Sequence, residues 1–242
     1  MKRLSHIAFF VAMATWLFIS TLQAEERGRL IFEDNFNRNE LQEDKEEVGN
    51  GWSTNSASRA GGHKQADLRD GTLHIYIHKT ADHAVSVRHD AEFKDGSVEL
   101  RFMLENSKDV LGLNFADLQL KSVWAGHLFK VDIGTSKLDI TDLKTGNMDL
   151  QIRAKRMADK NDPELAQLLR TKRTSIPVKL ETGKWYTLNV TVSGDSIRVD
   201  IDGKETGAFK SEGFAHPTKR MLRLSVPREA VVDDLKIFAA AK

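Results

Sequence analysis

Between residues 183 and 204 apolar and polar positions alternate with a period of two. Tyr186, Leu188, Val190 and Val192 interleave with Trp185, Thr187, Asn189 and Thr191, the pattern of a strand with one buried face. Gly194-Asp195 punctuates the run, and Ile197, Val199 and Ile201 then alternate with Arg198, Asp200 and Asp202. Asp202-Gly203 is a second turn signal, because both residues tolerate positive φ. The stretch therefore predicts a β-meander with one apolar face. Similar patterns recur along the chain. They cover Leu30 to Phe36, Leu73 to His78, and Val98, Leu100, Phe102 and Leu104, which alternate with Ser97, Glu99, Arg101 and Met103. Shorter candidate strands span 110–115, 117–123, 127–133 and 137–143, and Ala230 to Phe238 closes the chain. Many short strands with close turn signals indicate a sandwich or barrel.

One segment has a different period. From Met148 to Lys172, apolar residues such as Leu150, Ile152, Met157, Leu165, Leu168 and Leu169 recur three and four apart amid Arg and Lys. Asp162-Pro163-Glu164 reads as a helix start, with Asp162 as N-cap and Pro163 in the first position. The spacing predicts a two-piece helical insertion at about 148–173, carrying a basic face.

Composition narrows the classes. The first residues carry Lys2 and Arg3, an apolar stretch from Ile7 to Ser20, and a small residue at Ala24, the plan of an export signal over residues 1–24. The expected product is one β-sandwich domain over 25–242, periplasmic or extracellular, without membrane attachment once the signal is removed. The sequence has no cysteine, which excludes disulfides, thiolate metal sites and a thiol nucleophile. The formal net charge of +1 gives no reason to expect nucleic acid as a partner.

Several stretches carry a resemblance: Phe32 to Phe36, Asp70-Gly71-Thr72-Leu73, Phe93 to Phe102, the meander at 183–204, and Val231 to Phe238. In these the chain resembles the bacterial 3-keto-disaccharide hydrolase domains, a branch of the concanavalin A-like lectin/glucanase superfamily. The resemblance implies a mainly β fold, a concanavalin A-like jelly-roll β-sandwich of antiparallel strands interrupted by the short helical insertion. It implies a saccharide or glycan as partner and a role in glycosidic-bond hydrolysis or in glycan binding. Glycoside hydrolase family 16 shares the fold and places carboxylates as Glu-x-Asp-x-Glu or Glu-x-Asp-x-x-Glu on one strand. That spacing is missing here, and Glu99-Leu100-Arg101 puts a cation where the second carboxylate would point.

Candidate chemistry rests on scattered side chains. Histidine serves as acid or base near neutral pH, and His83, His89, His127 and His216 are the candidates. Glu99 and His127 are the expected catalytic residues if the chain is an enzyme. A 3-keto group acidifies the neighbouring C2–H, so a base there would drive elimination, with Arg101 or Lys219 stabilising the oxyanion. Expected saccharide contacts are His83, His89, Arg101, Trp124, His216 and Lys219, because an exposed indole stacks on a sugar ring. In this superfamily the first and last strands often pair beside a structural calcium, which the resemblance places at Asp34 and Asp233. A non-catalytic glycan-binding or surface-associated interaction module remains the alternative.

Overall fold

The computed structural model describes residues 28–241, so the expected export signal at 1–24 lies outside the described residues. Fifteen strands form two antiparallel sheets. In chain order they are β1 (Arg29–Asp34), β2 (Ser53–Thr54), β3 (Ala66–Arg69), β4 (Thr72–Tyr76), β5 (Val85–Phe93), β6 (Gly96–Met103), β7 (Val110–Ala116) and β8 (His127–Gly134). They continue as β9 (Lys137–Asp142), β10 (Arg173–Pro177), β11 (Trp185–Ser193), β12 (Ser196–Ile201), β13 (Lys204–Lys210), β14 (Lys219–Val226) and β15 (Glu229–Ala239). The first sheet runs β13-β12-β11-β6-β15-β4-β3, with β1 also on β15, and the second runs β10-β9-β8-β7-β14-β5-β2. This is the jelly-roll sandwich expected from the sequence. First and last strands do pair, with Asp34 opposite Leu235.

The alternation sets the faces. Val98, Leu100 and Phe102 of β6 and Leu188, Val190 and Val192 of β11 point inward and are buried. They meet Leu111, Leu113 and Phe115 of β7, Val131 and Ile133 of β8, and Leu222 and Leu224 of β14 in one core. At about 25 cal/mol per Å² of apolar area, this shared interior is the main stabilising term. Asp202 and Gly203 have φ of 51° and 73°, the left-handed pair that a two-residue hairpin between β12 and β13 requires.

The insertion forms two helices, α2 (Leu150–Ala158) and α3 (Pro163–Thr171), the short α1 being Ser56–Arg59. Asp162 caps α3 as expected, its carboxylate accepting from the N–H groups of Glu164 at 2.9 Å and Leu165 at 3.0 Å. Trp124 N–H donates to Met148 O at 2.7 Å, and Leu150 N–H donates to Ser122 O at 3.0 Å, so the insertion is tied to the segment before β8. The sequence expectation of a strand at 117–123 is not met. There Asp117 folds a turn by accepting from Gln119 N–H, and the segment bends into a one-turn 3-10 helix at Trp124–Gly126. No helix among the described residues is long and apolar enough to cross a membrane.

Candidate functional site

The outer face of the second sheet is polar, and its strand registers arrange it in rows. Arg88, Arg223, Asn114, Lys130, Thr141 and Arg173 lie successively opposite one another across β5, β14, β7, β8, β9 and β10. The neighbouring row is Ser86, Ser225, Gly112, Asp132, Asp139 and Ser175. Gly112 is demanded locally, since a Cβ there would stand 2.7 Å from Asp132 Oδ1.

His127, opposite Ala116 one row further along, reaches Asn114 and Arg223 of the first row through an irregularity. Phe115 stands opposite Phe129 but Ala116 stands opposite His127, leaving Leu128 as the extra residue of a β-bulge. Such a bulge re-aims side chains beyond it. Leu128 is therefore buried, and His127 turns to the outer face. There His127 Nδ1 is 3.0 Å from Asn114 Oδ1, and Arg223 Nη1 is 3.2 Å from Nε2. With Nδ1–H donating to Asn114, Nη1 of Arg223 sits over the ring face, 3.3 Å from Nδ1 and 3.2 Å from Nε2. Burial, then the charges of Arg223, His83, Lys130 and Arg153, push the imidazole down to about 4. It is neutral at neutral pH.

Trp124, Ala125 and Gly126 form the rim next to this histidine. Ala125 and Gly126 have φ of 50° and 70°. A Cβ on Gly126 would lie 2.4 Å from Asp117 O, so only glycine fits. The turn is braced from below by Arg223, whose Nη2 donates to Ala125 O at 3.0 Å. Trp124 stays 55% exposed while the Arg153 guanidinium of α2 sits 4.6 Å from its ring centroid.

The structure thus brings Trp124, His127 and the field of His83 together and separates the other expected residues. Glu99 and Arg101 alternate outward on β6, in the first sheet, so they face away from His127 across the sandwich. A catalytic pairing of Glu99 with His127 is therefore not formed. Arg101 instead lies 4.7 Å from the Trp185 ring centroid and donates to Asp233 at 3.1 Å. Lys219 is fully buried, donating from Nζ to Lys94 O and, at 3.0 Å, to His216 O. Burial pushes its amine down to about 8. His216 is buried too, with Nε2 3.0 Å from Asp117 Oδ2. Neither offers a surface for a ligand, because a bulge turns Lys219 inward where alternation alone would leave it ambiguous. His89 stacks on Phe32 with centroids 3.6 Å apart and lies 5.2 Å from Trp52, as part of an aromatic cluster.

The calcium expectation meets an occupied carboxylate. Asp34 accepts from Arg38 Nη1 at 2.6 Å and Nη2 at 2.8 Å, from Phe36 N–H at 2.8 Å and from Trp52 Nε1 at 2.8 Å. Burial raises its carboxyl but the Arg38 and Phe36 bonds outweigh it, holding the group below the ordinary range. A guanidinium across both oxygens leaves no cation position, so these residues do not fit the ion. Among the described residues no group of three or more His, Cys, Asp or Glu is placed to hold a metal.

What sequence reasoning missed is Arg223, Asn114 and Arg153. The only signal was Arg223 flanked by Leu222 and Leu224, a lone cation in an apolar run.

No family model matches the chain, and no curated protein matches it. Solved structures do. An endo-β-galactosidase from Clostridium perfringens that releases GlcNAcα1-4Gal is 11% identical, with a TM-score of 0.58 over 88% of this chain and 63% of that one. This chain therefore spans less than two thirds of that relative. A laminarinase from Rhodothermus marinus is 12% identical with a TM-score of 0.58, covering 88% of this chain and 98% of its own. A carbohydrate-binding module, CBM66 from Bacillus subtilis, is 11% identical at a TM-score of 0.50, covering 76% and 93%. At these identities the likeness is one of fold, a jelly-roll β-sandwich of two antiparallel sheets.

Proposed function

We propose that the chain binds a saccharide on the outer face of the second sheet, beside the Trp124–His127 turn. One arrangement carries this reading: a half-exposed indole held in a glycine-locked turn, adjacent to the fixed polar set of His127, Asn114 and Arg223. A flat apolar ring next to a few oriented polar groups is what a sugar needs, since stacking takes its C–H face and the polar groups take its hydroxyls. The fold neighbours support it, being named as saccharide hydrolases and a carbohydrate-binding module.

A second reading is elimination from a 3-keto glycoside. The C2 proton would pass to His127, the C1–O bond would break, the leaving oxygen would take that proton and depart as the alcohol, and C1=C2 would form in conjugation with the C3 carbonyl. Water adding at C1 would complete hydrolysis. A neutral imidazole beside a guanidinium favours this reading. Against it, a base pushed down to about 4 is weak, and the Arg223 guanidinium covers one face of its ring. A retaining mechanism on Asp132 and Asp139 fits less well. Asp132 and Asp139 stand directly opposite, with Cβ atoms about 5 Å apart as such pairs have, but each carboxylate is paired with a lysine, Lys130 and Lys137. Burial raises Asp139, yet its bonds to Lys137 and Ser175 prevail and hold it below the ordinary range, so it has no proton to donate at neutral pH.

The test is calorimetry on the wild type and Trp124→Ala with neutral oligosaccharides and 3-keto glycosides, alongside chromatography for products. Binding that weakens at least about tenfold in Trp124→Ala, without products, is expected. Binding indifferent to Trp124 overturns the proposal. Products that vanish in His127→Asn replace it with the second reading.

A further inference from the structure

Arg223 is 9% exposed, yet no carboxylate among the described residues lies within ion-pair distance of it. Its donors go to Ala125 O, to the His127 ring and, through Nε at 3.4 Å, to Met221 Sδ. Directly opposite on β5 stands a second arginine, Arg88, which lowers the Arg223 guanidinium further after burial, to about 10. Arg88 donates from Nη2 to Thr54 O at 2.5 Å, and its buried Nε has no partner. Arg153 adds a third guanidinium at the rim, over Trp124.

Bracing the 124–126 turn needs a donor to Ala125 O, and a neutral side chain would supply one. It does not need a buried charge, nor a like charge directly across the antiparallel pair, which is unfavourable. Charged side chains are rarely buried unless paired, and perturbed titratable groups cluster at functional sites. We propose that the saccharide taken by this face carries an anionic substituent, a uronate carboxylate or a sulfate ester, seated against Arg223 and Arg88 with Arg153 at the rim. The inference rests on the saccharide-binding reading and names the sugar class. Both anions present the planar or trigonal oxygens that a guanidinium fork meets in two bonds.

The experiment is titration of the protein with oligogalacturonate, with the same oligosaccharide after its carboxyls are reduced to alcohols, with a sulfated galactan, and with neutral galactan. It is run at low and at physiological salt, on the wild type, Trp124→Ala, Arg88→Gln, Arg153→Gln and Arg223→Gln. Binding of at least one acidic ligand is expected, falling about tenfold or more with salt. Carboxyl reduction or removal of sulfate should cost at least tenfold, and the variants of the two less buried arginines, Arg88→Gln and Arg153→Gln, several-fold each. These two keep the test open if Arg223→Gln fails to fold. Equal affinity for neutral and acidic ligands, dependent on Trp124, overturns the anionic inference and leaves the saccharide site standing. Acidic binding untouched by all three variants overturns it as well. If no ligand binds, both readings fail.

Discussion

Arg223 Nη1 lies 3.3 Å from Nδ1 and 3.2 Å from Nε2 of His127, so the guanidinium covers the imidazole ring instead of meeting one nitrogen end-on. The two residues are 96 positions apart. They meet because β14 and β8 both flank β7, whose Asn114 stands opposite Arg223 and accepts from the histidine. Burial, reinforced by the cation stacked on the ring, keeps this histidine neutral at neutral pH.

The pH dependence of stability follows from that neutrality. An unfolded histidine titrates near 6.5 and His127 at about 4. Above about pH 6.5 both states are neutral and the residue contributes nothing to the slope. Below it the unfolded chain binds a proton that the folded one refuses, so stability falls down to about pH 4 and then levels. The loss is roughly 3 kcal/mol. Urea unfolding between pH 7 and 4 should show this decline, and His127→Asn should remove most of it. Part of the slope will survive, because burial also lowers His74 and His89. In Arg223→Met the His127 C2–H resonance should titrate at higher pH than in the wild type. An unmoved titration would mean that burial alone sets the value.

Gly126 should tolerate no side chain. In Gly126→Ala the methyl would stand 2.4 Å from Asp117 O and 2.7 Å from its carbonyl carbon, both backbone atoms, at a φ of 70°. A loss of about 2 kcal/mol or more is expected, together with displaced Trp124 fluorescence. Gly183 is the control. Its φ is 71° but nothing lies within 4 Å of the added methyl, so Gly183→Ala should cost only about 1 kcal/mol. Equal costs would remove the steric argument.

Much of this architecture can be read from local pattern, and the site cannot. Asp162-Pro163 and Asp202-Gly203 act on neighbours within a few residues, so their helix start and hairpin follow from the chain alone. The paired alternations of β6 and β11 declare their buried faces in the same way. At 117–123 the apolar residues that suggested a strand include Leu118, which is 49% exposed, and Asp117 is instead bound to His216 from 99 residues away. Two bulges shift the phase of alternation, turning His127 outward and Lys219 inward. Nothing in the spacing announces them. Glu99 and Arg101 share a polar face as read, but which sheet carries that face depends on strand order. Order is fixed by contacts distant in sequence.

The separation of faces makes Glu99 a discriminating position. Because Glu99 looks out from the first sheet, Glu99→Gln should leave saccharide binding within about twofold of wild type, whereas Trp124→Ala should weaken it at least about tenfold. Calorimetry on the two variants, with melting curves to confirm folding, decides the matter. The reverse order of effects would move the site to the outer face of the first sheet.

Asp34 should behave as half of an ion pair and not as a metal ligand. Both its oxygens face the Arg38 guanidinium, and its side chain is 1% exposed against 28% for Arg38. Removing one partner of a buried pair strands the other, so Asp34→Ala should cost about 3 kcal/mol or more. Asp34→Asn keeps acceptance from Trp52 Nε1 through one oxygen but loses the two-pronged contact, and should fall between. If calcium occupied this position, a chelator would lower the melting temperature and added calcium would restore it. Here neither treatment should shift the midpoint, and both variants should show the same indifference. The acid side gives an independent check. The Asp34 carboxyl is held below its unfolded value, so its contribution is present above about pH 4 and disappears as pH falls through the folded value. Asp34→Ala should therefore lose less stability than the wild type on descending below pH 4. A chelator-sensitive melting curve would instead make this carboxylate a metal ligand.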